Sequence, residues 1–77
     1  MEELIRQLKT FLGNSARAIK VKGPAEIDIV VNENENIEAL LARLQAHIIE
    51  IVDENTLGKI NLVSPDGELK ESFSLNQ

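Results

Sequence analysis

The stretch NENIEALLARLQAHIIEIVD, residues 34–53, decides how the rest of this chain is read. Within it Ile37, Leu40, Leu41, Leu44, Ile48, Ile51 and Val52 recur at three- and four-residue steps. An α-helix turns once every 3.6 residues, so this spacing stacks those side chains along one side. The expected helix runs about 18 residues, roughly 27 Å at the standard rise. Asn34 is the expected N-cap, with Asn36 next, and the flanking acids suit the positive end of the helix dipole. Asp53-Glu54-Asn55 is expected to close it. Ala39, Ala42, Ala46 and Ile49 widen the apolar arc. The helix should therefore touch two neighbours, a sheet and a second helix, the latter from this chain or from a copy of it.

Working outward, residues 2–12 place Leu4, Ile5, Leu8, Phe11 and Leu12 on one helical face, with Glu3, Arg6, Gln7, Lys9 and Thr10 on the other. A helix this short is marginal alone in water and must dock. Gly13-Asn14 tolerates the left-handed conformation that stops it. Residues 17–22 and 25–32 then alternate with the two-residue period of half-buried strands. Facing Ile19 and Val21 the same way as Ile27, Ile29 and Val31 sets Val21 opposite Ile27 and Ile19 opposite Ile29. Gly23-Pro24-Ala25 is left as the loop. The same register predicts Lys22 beside Glu26 and Lys20 beside Asp28 on the outer face, each pair contributing a few tenths to about 1 kcal/mol.

Beyond the central stretch, residues 57–63 and 68–75 predict a second hairpin around Ser64-Pro65-Asp66-Gly67, a sequence suited to a type I turn. Two registers compete. A three-residue loop with a glycine bulge sets Val63 opposite Leu69 and Lys59 opposite Phe73, leaving the hairpin apolar on both faces. A shift by one sets Leu62 opposite Leu69 and gathers the large apolar groups. Turn chemistry favours the first and burial the second. The element order α-β-β-α-β-β, with a crossover joining the hairpins, predicts an α+β fold: a two-layer sandwich with a mixed four-stranded sheet and both helices on one face. A single small domain over residues 1–77 is expected.

Composition bounds the function. The chain is 43% apolar with two aromatics, Phe11 and Phe73, so the core must be aliphatic. Lacking cysteine, it has neither disulfides nor thiolate metal sites, which suits a reducing cytoplasm. No apolar run approaches the ~20 residues of a membrane span, and Glu2 and Glu3 stand where a signal peptide carries base. The net charge of −5 is uneven: residues 1–22 carry five cations against two acids, residues 23–77 three against eleven. The basic part folding onto the acidic remainder accounts for this split, so direct nucleic-acid binding is not expected.

Candidate chemistry is sparse. His47 is the sole histidine and has no serine, cysteine or carboxylate pair at helical spacing, Glu50 aside. Ser15, Ser64, Ser72 and Ser74 lie outside any nucleophile elbow, and the four glycines form no phosphate-binding run. The Asn32–Asn36 segment lacks the glycine and glutamate that a calcium loop requires, whether counted from Asn32 or Asn34. No cofactor or metal is expected, and no family is recognised. The expected function is a non-enzymatic protein-interaction module that self-associates as a homodimer, through the open sheet face or a sheet edge, and docks a protein partner through its helix pair or sheet. Leu4, Leu8, Phe11, Val30, Ile49 and Val63 are its candidate contact residues, since surplus apolar area on a small domain marks a contact surface. Two rivals are an acidic decoy of a nucleic-acid-binding protein and an enzyme joining His47 and Glu50 across a dimer.

Overall fold

Aliphatic residues two apart on neighbouring strands and leucines four apart on helices meet in one cluster, and the architecture follows from that meeting. A computed structural model describes residues 2–51 and 58–74 of the chain. Residues 53–55, expected to close the helix, lie outside the described residues with Val52, Leu57 and Leu75, as do the side chains of Ile48, Ile49, Glu50 and Ile51. The elements are α1 (Glu2–Leu12), a 3₁₀ turn (Gly13–Ser15), β1 (Ala16–Gly23), β2 (Glu26–Val31), α2 (Ile37–Ile51), β3 (Lys59–Val63) and β4 (Leu69–Ser74). The four strands form one mixed sheet in the order β1-β2-β3-β4, making this an α+β fold. β1 and β2 pair antiparallel, β2 and β3 parallel, β3 and β4 antiparallel.

Ile27 pairs with Ile60 and Ile29 with Leu62 across the parallel seam. All four are sealed from solvent, together with Val31, Leu4, Leu8 and Leu12 of α1, and Leu40 and Leu44 of α2. Phe11, Ala16, Ile19, Ile37, Leu41 and Phe73 pack around this cluster. The expected wide arc on α2 is corrected: Ala39, Ala42 and Ala46 are exposed. Among the described side chains of this helix burial follows the Leu40–Leu44 stripe, because a methyl group about one-third of a turn away is too short to reach the core.

Caps and turns fix the ends. Gly13 stops α1 at φ +56°, a conformation that costs a glycine little. Asn36 rather than Asn34 caps α2: its Oδ1 accepts from Ala39 N at 3.1 Å, and its carbonyl from Leu40 N at 3.0 Å. Asn32 to Glu35 form a turn instead, closed by Glu35 N donating to Asn32 O at 3.2 Å, so the helix starts after it. Gly58 N and Lys59 N both donate to Ala25 O, at 2.7 and 3.0 Å, and tie the start of β3 to the first hairpin turn.

Both hairpins resolve their registers with bulges. In the first, Val21↔Ile27, Ile19↔Ile29 and Lys20↔Asp28 pair as expected. Lys22 is different. The register shifts there, Gly23 pairs with Glu26, and the loop shrinks to Pro24-Ala25, so Lys22 does not stand opposite Glu26. In the second, Val63↔Leu69 pairs as the turn register expects, but neither expected register continues: Leu62 faces Glu71 rather than Leu69, and Phe73 faces Ile60 rather than Lys59, which keeps Phe73 on the core side. The extra residue, Lys70, bulges between Leu69 and Glu71. The turn itself forms as its residues dictate: Gly67 sits at φ +94° and donates to Ser64 O at 2.9 Å.

Two outcomes follow. Leu44→Ala should destabilise the domain by about 2–5 kcal/mol, read from the denaturation midpoint at unchanged slope. Asp66 accepts hydrogen bonds from the Ser64 hydroxyl and from Glu68 N, which lower its pKa below the usual 3.8. A lowered carboxylate stabilises fully above the unfolded value and loses that contribution as pH falls through the folded one. Amide protection at Glu68 should therefore weaken below about pH 4 in wild type, and should lack that acid step in Asp66→Asn.

Candidate interaction surface

Strand alternation sends every second side chain to the sheet face opposite the core cluster. The registers align these residues into rows across the sheet. Ala18 pairs with Val30, Val30 with Val63, and Val63 with Leu69, so one apolar row crosses all four strands. At ~4.8 Å between strands it is about 14 Å long. Val30 and Val63 are half-buried, and Leu69 is 58% exposed. Beside the row, the turn containing Pro65 bounds a groove of about 400 Å³ that Arg17, Lys20 and Asp28 also line.

The next rows are polar. Lys20, Asp28, Asn61 and Ser72 form one; Gly23, Glu26, Lys59 and Ser74 form the next. Asn61 is the buried polar residue among those described, 3% exposed. Its Nδ2 donates to Glu26 Oε2 at 2.6 Å and to Asp28 Oδ1 at 2.8 Å, bridging two strands. Hydrogen bonds to ionised acceptors are the stronger kind, and here they explain how an amide is tolerated between Ile60 and Leu62. Asp28 is thus held by Asn61, and Lys20, although opposite, makes no ion pair with it among the described residues.

The outer strands β1 and β4 are poor templates for another strand. Register shifts at Arg17, Lys22 and Lys70 place charged, bulged residues on both edges. Charge and bulging are the usual protections against edge-to-edge pairing. Val21, 56% exposed on β1, alternates to the other face and does not extend the apolar row.

A second surface lies between the helices. Phe11 stacks on His47 with ring centroids 3.9 Å apart and planes within 8°, and Arg43 Cζ stands 5.3 Å from the Phe11 centroid. Arg6, Gln7 and Thr10 join these two rings around a groove of about 380 Å³. The Arg6 guanidinium donates to Glu3 at 2.5 Å, which lowers the Glu3 pKa and raises that of Arg6. Its charge is already paired. Among the described residues no three histidine, aspartate or glutamate side chains converge to hold a metal. The Glu50 side chain invoked for a shared active site lies outside the described residues.

The contact residues expected from sequence are therefore divided. Leu4 and Leu8 are consumed by the domain's own core, and Phe11 is half-buried against His47. Val30 and Val63 stand side by side in the apolar row, while the Ile49 side chain lies outside the described residues. Ala18, Leu69 and Asn61 were not singled out by sequence. Alternation places Asn61 between two buried neighbours, a legible signal; Leu69 depended on a register that the sequence left open.

No helix among the described residues is long and apolar enough to cross a membrane. No family model, no curated protein and no solved structure matches the chain.

Removing the bridging amide tests the polar rows: Asn61→Ala should cost about 1–3 kcal/mol in urea unfolding, because Glu26 and Asp28 lose their shared donor.

Proposed function

We propose that this protein is a non-enzymatic protein-interaction module that self-associates through the sheet face bearing Ala18, Val30, Val63 and Leu69. In this reading both helices roof the other face, giving a two-layer sandwich in α-β-β-α-β-β order. The observation that carries it is the continuous apolar row with Leu69 largely in water. Scattered surface leucines are ordinary, whereas apolar residues aligned across an entire sheet amount to a contact surface. The charged, bulged edges direct association to the face rather than to strand addition. A cysteine-free chain suits work in the cytoplasm.

The reading also sets a scale. Four short strands present a sheet footprint of roughly 300–400 Å², well under the ~800 Å² per partner of a standard interface. Association is therefore weak and concentration-dependent. Sedimentation velocity across a concentration series should show a reversible monomer–dimer equilibrium. Leu69→Glu should displace it to monomer while helicity and the unfolding midpoint stay close to wild type. A wild-type protein that remains monomeric into the millimolar range refutes the proposal.

A further inference from the structure

We infer that the occupant of this face is a second copy of the chain, related by a two-fold axis lying parallel to the strands. This rests on the self-association proposed above and specifies its geometry. An axis in that direction reverses each transverse row against its own copy. Val30 of one protomer then meets Val63 of the other, and the smallest residue of the row, Ala18, meets the largest, Leu69. Sheets stacked face to face lie about 10 Å apart, so a small residue facing a large one fills that space evenly. An axis along the row would instead stack Leu69 on Leu69 and Ala18 on Ala18, crowding one end and leaving a void at the other.

Charge selects the same axis. Glu26 and Lys59 are row neighbours on this face, on adjacent strands flanking the centre of the sheet. Reversal sets Glu26 of each copy over Lys59 of the other, giving two symmetric ion pairs. Lys59 is exposed and makes no ion pair among the described residues of its own chain, so it can take a partner across the interface. A self-complementary contact of this kind is what a closed two-fold dimer requires.

The test uses two single variants, Glu26→Lys and Lys59→Glu, prepared separately and then mixed. Each alone places like charges at both crossings and should dimerise about tenfold more weakly than wild type. The equimolar mixture restores both pairs, so a one-to-one heterodimer of near wild-type affinity is expected, weakening as salt rises. Overall attraction cannot imitate this. Starting from a net −5, each replacement changes the charge by two, to −3 and −7, so the two variants still repel as wholes. Should Glu26→Lys fail to fold, Ala18→Leu and Leu69→Ala provide the same logic through size, each poor alone and matched when mixed. Wild-type dimerisation with mixtures no tighter than the separate variants overturns the axis and leaves self-association standing. A wild type that never dimerises removes both.

Discussion

The parallel seam between β2 and β3 is the constraint on which the rest depends. Ile27 against Ile60 and Ile29 against Leu62 make a four-residue apolar floor at the centre of the sheet. Two parallel strands cannot be joined by a tight turn, so the chain between them must travel the length of the sheet and return. α2 makes that journey, and Leu40 and Leu44 are buried in the same cluster as the floor. Without the seam each hairpin would be an isolated two-stranded ribbon, which is marginal in water. The short α1 is in the same position: Leu4, Leu8 and Leu12 reach burial only because the floor exists.

A second theme is the use of bulges to satisfy demands that conflict. The Ser64–Gly67 turn dictates one register at Val63, and the burial of Phe73 dictates another at Ile60. A single extra residue at Lys70 lets each demand win where it is strongest. The shift at Lys22 similarly tightens the first hairpin to a two-residue loop while keeping Val21 opposite Ile27. The displaced residues are charged, so the irregularities also spoil both sheet edges as templates.

The same seam shapes the other face. Because parallel partners share a side, the alternation that buries Ile60 and Leu62 sends Asn61 between Glu26 and Asp28 and aligns Val30 with Val63. Polar and apolar rows across the strands follow from register, not from any contiguous sequence. That is why an apolar row can cross the sheet here without a motif.

The sequence by itself determined the α+β class, the apolar pairs Ile19–Ile29 and Val21–Ile27, the turn at Ser64–Gly67 and the Leu40–Leu44 stripe. These are local: periodicity, proline, glycine and side-chain alternation act over a few residues. Only the tertiary structure decided which asparagine caps α2, where the bulges fall, which alanines of α2 stay in water and how Asn61 is satisfied. It also decided that Leu4 and Leu8 serve the core whereas Ala18 and Leu69 share a row with Val30 and Val63. Each of those choices depends on a partner distant in the chain, and a one-residue slip of a strand reverses which face a side chain occupies.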